Sequence, residues 1–153
     1  PRELGRVDDL HARAAGADQT IDYRRESVGE RVMQITSKKG VDAIVEVDIA
    51  ANAKLIPFVL RPHGTVVIYG TGAPECEIPS MFLLRNAIAL QYIYVYELTA
   101  VERSAALAAI TSALDAGTLA TNIGATFPLV ETTAAHEAVE SGKVLGNVVV
   151  TID

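Results

Sequence analysis

The chain has 153 residues, half of them hydrophobic and about a fifth charged, which suits one folded domain with a real core rather than a disordered segment. Its formal net charge of −6 supplies no basic footprint for nucleic acid, and no polybasic cluster points to a membrane surface. A single cysteine, Cys76, excludes an internal disulfide framework and fits a reducing cytoplasm, and no apolar run reaches bilayer length. No signal peptide opens the chain, and its first residue is proline, which points to a processed or longer polypeptide.

In chain order, Glu3 to Ala15 is predicted helical, with Leu4, Val7, Leu10 and Ala14 at helix spacing and Gly16 as the stop. Gln19 to Asp22 is predicted as a short strand. Glu26 to Lys39 follows as an amphipathic helix ended by Gly40, with Val28, Val32 and Ile35 on one face. Val41 to Val47 is predicted as a strand and Asn52 to Leu60 as a helix closed before Pro62. Gly64 is available for a positive φ in the Pro-His-Gly turn. Thr65 to Tyr69 has the β-branched composition of a parallel strand buried on both faces. Gly70 and Gly72 allow a backbone or ligand to approach the carboxyl end of that strand, where open α/β sheets bind ligands.

Ser80 to Ala87 is a predicted short helix with Ser80 as its cap, and Ala89 to Tyr96 an aromatic and β-branched strand. Ala100 to Ala116 reads as a helix with a buried stripe of Val101, Leu107, Ile110 and Leu114, ended by Gly117. Ile123 to Leu129 is extended, Thr132 to Ser141 helical, and Gly146 to Ile152 a last strand. The alternation of strand and helix predicts right-handed crossovers and a parallel sheet. A nucleotide-binding sheet of this kind opens with a strand, a glycine-rich phosphate turn and a helix. No G-x-G-x-x-G occurs here, since Gly70-Thr-Gly72 lacks the third glycine.

Four stretches in this order resemble the carboxyl-terminal part of the medium-chain dehydrogenase/reductase superfamily, most of all the NADPH:quinone oxidoreductases of the zeta-crystallin type. They are Ala14 to Tyr23, Gly40 to Val47, Leu60 to Gly70, and the tail of Ile123 to Leu129 with Ala134 to Ala138 and Gly142 to Val149. The resemblance implies an α/β fold: a Rossmann-type parallel sheet with flanking helices, lacking the first βαβ phosphate-binding unit. Residues 1–122 would form the partial dinucleotide-binding domain. Residues 123–153 would join the substrate domain and return.

The resemblance also implies NADPH as cofactor and hydride transfer to a small-molecule substrate, a quinone or other activated carbonyl or alkene. It places Tyr23 near the adenosine ribose and its 2′-phosphate, with Arg24 and Arg25 as assisting cations. Gly70 and Thr71 would approach the nicotinamide ribose, and the backbone of Tyr94, Val95 and Tyr96 would meet the carboxamide. Asn147 stands where the family often has a basic residue reaching the cofactor, so it brings a hydrogen bond without charge; Lys143 is a weaker substitute.

His11, His63 and His136 fall in different elements, and Cys76 beside glutamates makes no zinc set. No metal ligand and no general acid or base is assigned. A zinc-dependent alcohol dehydrogenase or an enoyl reductase module stays open as an alternative. So does a non-catalytic fragment acting as a dimerising domain. The strand over 89–96 corresponds in the superfamily to one that pairs with its symmetry mate, so a homodimer through that edge is expected.

Overall fold

The computed structural model describes residues 9–152. Its elements are a helical run over 9–14 (α1), α2 (Val28–Ile35), β1 (Val41–Glu46), α3 (Ile49–Asn52), α4 (Ile56–Val59), β2 (Leu60–Ile68), α5 (Ser80–Arg85), β3 (Ala89–Tyr92), α6 (Ala100–Asp115), β4 (Ile123–Pro128), α7 (Thr132–Glu140) and β5 (Asn147–Thr151). The predicted part of the first helix before residue 9 lies outside the described residues. Two compact units divide the chain: Ile21–Ser104 is one, and the other combines the residues up to Thr20 with those from Ala105 onward.

In the first unit three parallel strands lie in the order β1-β2-β3. Ile49, Ala53, Ile56, Leu60, Val66, Ile68 and Leu83 form its core, and Val66 is wholly buried. Burying each large aliphatic side chain contributes about 1.5–3 kcal/mol. Along β2, Gly64, Val66 and Ile68 are buried while Thr65 and Val67 are half-buried, so one face is covered more fully than the other. That differs from the strand buried on both faces that composition suggests, because β-branched residues suit either environment.

Helix α2 starts at Ser27, whose side chain accepts the Glu30 N–H, and packs against α4. Gly29 permits the approach: a Cβ there would stand 2.9 Å from Phe58 Cβ. The helix ends at Ile35, earlier than Lys39. Thr36 Oγ1 donates to the Val32 carbonyl and accepts from the Gly40 N–H, and Ser37 and Lys38 adopt φ of 52° and 65°. A hydroxyl competing for backbone groups closes the helix before the glycine is reached.

The helix predicted over 52–60 is broken into α3, a 3₁₀ turn (Ala53–Leu55) and α4. Pro57 explains the break: without an N–H it cannot continue a helix but is tolerated in the first turn of a new one. Leu60 already belongs to β2. The register between β1 and β2 shifts after Val41↔Leu60 and resumes at Ala43↔Thr65, so Arg61 to Gly64 bulge out. Within the bulge His63, not Gly64, takes the positive φ, at 60°. Gly64 serves close packing instead, since a Cβ would lie 2.6 Å from Leu60 Cδ1.

No ladder forms over the predicted strand at 19–22; a strand is held by a neighbour, and among the described residues none pairs there. Pro79, not Ser80, occupies the cap position of α5 and makes no side-chain cap bond. Strand β3 stops at Tyr92. Its ladder runs out with Ile68, and after Ile93 N–H donates to the Ile68 carbonyl at 2.8 Å the chain turns into a 3₁₀ segment, Val95–Glu97. Tyr94, Val95 and Tyr96 therefore stand beyond the strand.

In the second unit β4 and β5 pair in parallel and α7 packs on both. Gly124 admits the Leu145 carbonyl, which would lie 2.2 Å from a Cβ. Helix α6 begins with a reciprocal cap in which Thr99 Oγ1 accepts the Glu102 N–H while Glu102 Oε2 accepts from Thr99 N–H at 2.8 Å. Its stripe of Val101, Leu107, Ile110 and Leu114 is exposed rather than buried. Helical spacing marks a face able to be covered and does not say by what.

Candidate functional site at the carboxyl ends of the sheet

The carboxyl ends of β1, β2 and β3 lie side by side, because Glu46 pairs with Ile68 and Ile68 with Tyr92. Tyr69 N–H donates to the Glu46 carbonyl at 3.0 Å, carrying the β1–β2 contact past the last ladder residue. Val47 and Asp48 then meet Gly70 and Gly72. A Cβ on Gly70 would stand 2.2 Å from the Val47 carbonyl oxygen, and one on Gly72 would stand 2.7 Å from Asp48 Oδ2. The close approach read from these glycines is thus made by the neighbouring strand's own backbone and side chain.

Glu46 is the buried charged residue among the described core, 9% exposed. Its Oε1 accepts from Asp48 N–H at 2.6 Å and from Asn52 Nδ2 at 2.9 Å, which compensates the cost of burying a carboxylate. Asp48 in turn accepts Gly72 N–H at 2.7 Å and caps α3 through Ala51 N–H at 3.3 Å. One connected polar group therefore ties the end of β1, the start of α3 and the turn after β2. Sequence reading passed over Glu46, Asp48 and Asn52. The available signal was an acid inside the apolar run Val41 to Val47 with a second acid two residues later, ahead of a helix.

Of the sequence-derived candidates, Gly70 stands against Val47, and Thr71 lies between it and Gly72, which bonds Asp48. Thr71 is exposed, and its hydroxyl donates to the Ala73 carbonyl at 2.8 Å. Tyr23 is 70% exposed in the turn before α2, with the Arg24 guanidinium 5.7 Å from its ring centre. Arg25 pairs with Asp22 at 3.2 Å. Tyr23 lines a cleft of 1410 Å³ whose wall also includes Glu46, Asp48, Asn52, Ile44 and Phe58. Tyr94 and Tyr96 are exposed and pack edge to face, centroids 5.4 Å apart. Asn147 belongs to the second unit, where its N–H and Nδ2 both donate to the Asn122 carbonyl, at 2.8 and 3.2 Å. Gly70 to Gly72, Tyr23 and Tyr94 to Tyr96 all belong to the first unit.

Among the described residues no three His, Cys, Asp or Glu side chains gather as a metal set. None of the described helices is long and apolar enough to cross a membrane.

Parallel strands flanked by helices, with glycines and polar groups at their carboxyl ends, define an α/β domain of incomplete Rossmann type. The zinc-binding dehydrogenase family model matches residues 15–150, and the chain belongs to that family, within the medium-chain dehydrogenase/reductase superfamily of NAD(P)-dependent oxidoreductases. A 2-haloacrylate reductase from a Burkholderia species is 26% identical over 148 residues, which cover 90% of this chain and 43% of that protein. The crystal structure of 2-haloacrylate reductase superposes with a TM-score of 0.75 at 25% identity, covering 90% of this chain and 44% of that one. A Sinorhizobium meliloti protein described as an alcohol dehydrogenase gives 0.80 at 26% identity, over 95% of this chain and 41% of its own. The chain thus spans less than half the length of these relatives.

Proposed function

We propose that the chain is the cofactor-facing part of an NADPH-dependent oxidoreductase that reduces a quinone or another activated carbonyl or alkene. The observation that carries this reading is the meeting of three strand ends around Gly70-Thr71-Gly72, the place where an open parallel sheet binds its ligand. When bound, NADPH supplies a hydride to the acceptor and leaves as NADP⁺, and a solvent proton completes the product.

The chain's residues orient the two reactants. Gly70 and Thr71 face the nicotinamide ribose, and the backbone of Tyr94, Val95 and Tyr96 meets the carboxamide. Tyr23 offers its phenol toward the adenosine ribose and 2′-phosphate, with Arg24 beside it. Residues 1–122 act as the dinucleotide-binding part, and 123–153 join the substrate domain and return. The name of the Burkholderia relative, a reductase of an activated alkene, favours an electron-poor double bond among the acceptors. Cys76 as a free exposed thiol suits a cytoplasmic setting.

The free edge of β3 supports a homodimer. One side of β3 pairs with β2, and among the described residues no strand pairs with the other.

NADPH titration followed by fluorescence, and NADPH oxidation with 1,4-benzoquinone, test the reading. It expects saturable binding and turnover from the polypeptide at its natural length, and NADH binding weaker than NADPH. Saturation by neither nucleotide would overturn it. A second reading rests on the missing G-x-G-x-x-G: the 153-residue chain alone lacks pyrophosphate donors and acts as a dimerising domain. Dimerisation of the chain with no nucleotide binding is its expected outcome.

A further inference from the structure

We infer that Glu46 is a positioning residue for the nicotinamide-side rim, acting through Asp48 on the turn at Gly70 to Gly72. The inference rests on the reading above that this turn faces the cofactor. A buried carboxylate is costly, and a strand end needs none: the pairing of Glu46 with Ile68 is made by the backbone. Glu46 nevertheless spends a single oxygen on two donors, the Asp48 N–H and the Asn52 side chain. Those bonds fix the backbone over 46–48, and that backbone fixes two things. The Val47 carbonyl is set against Gly70, and the Asp48 carboxylate is set to accept the Gly72 N–H. Ile49 N–H also reaches the Gly70 carbonyl, at 3.4 Å. Thr71, the residue that reads as a cofactor contact, is thus held from both sides by groups whose placement begins at Glu46.

The chemistry selects the informative substitutions. Glutamine keeps an acceptor oxygen in the same place without the charge, so Glu46→Gln retains the geometry with weaker bonds. Glu46→Ala removes the acceptor and frees the 46–48 turn. Asn52→Ala removes one donor and leaves the Asp48 bond, and serves if Glu46→Ala folds poorly.

The test has two readouts. In the 153-residue chain, amide exchange is followed at Gly72 and Asp48 by NMR. Protection at Gly72 should fall about tenfold or more in Glu46→Ala and return most of the way in Glu46→Gln, although the Gly72 N–H is bonded to Asp48 and not to residue 46. In the polypeptide at its natural length, NADPH oxidation with 1,4-benzoquinone is measured well below the melting temperature of each variant. Turnover should fall about tenfold or more in Glu46→Ala, with Kd for NADPH changed less than threefold and near-wild-type turnover in Glu46→Gln. Lower melting temperatures with unchanged turnover and unchanged Gly72 exchange would mean that Glu46 is structural only, overturning the inference while leaving the cofactor reading intact. A wild-type protein that neither binds nor oxidises NADPH would overturn the cofactor reading, and the inference with it.

Discussion

Thr99 and Glu102 show how much a few atoms fix locally. The Thr99 hydroxyl, then the Thr99 N–H, hold the Glu102 carboxyl below its ordinary value of 4.5. The Thr20 hydroxyl, then Arg13, do the same for Asp9 relative to 3.8. A carboxyl whose folded pKa is lowered stabilises the native state fully above its unfolded value. That contribution is lost as pH falls through the unfolded value toward the folded one. Melting curves between pH 6 and pH 3 should therefore fall more gently on the acid side in Glu102→Gln and Asp9→Asn than in the wild type. Gly70 makes a sharper case: Gly70→Ala drives a methyl into the Val47 carbonyl and should cost about 1–3 kcal/mol in urea unfolding. The need for glycine at 70 was legible, but the group that occupies its space was not, because sequence does not number the neighbours of a strand end. Likewise nothing local marked His63 over Gly64 for the left-handed conformation. The register shift between β1 and β2 decides that.

At the level of elements, β1, β4, β5 and the helices α5, α6 and α7 were read to within two residues at either end, while the strand expected over 19–22 does not form and β2 starts five residues earlier than expected. The break at Pro57 had its cause in plain view, whereas the early end of α2 depends on what the Thr36 hydroxyl bonds to. Strand β3 was overestimated because Ile93 to Tyr96 carry strand-forming side chains with no ladder to join. The stripe on α6 shows the same gap between pattern and partner. Ile68→Ala, 2% exposed, should cost about 2–5 kcal/mol, while Leu107→Gln, 58% exposed, should change stability by less than about 0.5 kcal/mol. Urea unfolding of both variants checks the contrast; a large loss at Leu107 would show that the stripe is covered in solution.

For the molecule as a whole, the α/β class and the parallel sheet followed from alternation alone, and the family from four stretches in order. The candidate site was proposed from the sequence as a place, the carboxyl end of β2, without the polar group that supports it. Glu46, Asp48 and Asn52 become a group only when the backbone folds them together. The alternation of amides along β3 decides where a proline can test the proposed dimer. Ile93 N–H is bonded within the sheet, so proline there would damage the fold itself. Its neighbour Tyr92 directs its N–H the opposite way, to the free edge. Tyr92→Pro should give a folded monomer by sedimentation velocity if the edge joins two copies, and an unchanged dimer would exclude that edge.

The pairing of strands has a consequence for how the polypeptide acquires its shape. Among the described residues every ladder joins strands that are consecutive in the chain: β1 with β2, β2 with β3, β4 with β5. Parallel sheets are ordinarily slow to form because distant segments must find one another. Here each search is short, and the entropy of closing each loop is correspondingly small. Each ladder can close once its second strand has left the ribosome, without waiting for the next to be made. Pulsed amide labelling during refolding should find the β1–β2 amides protected no later than those of β2–β3.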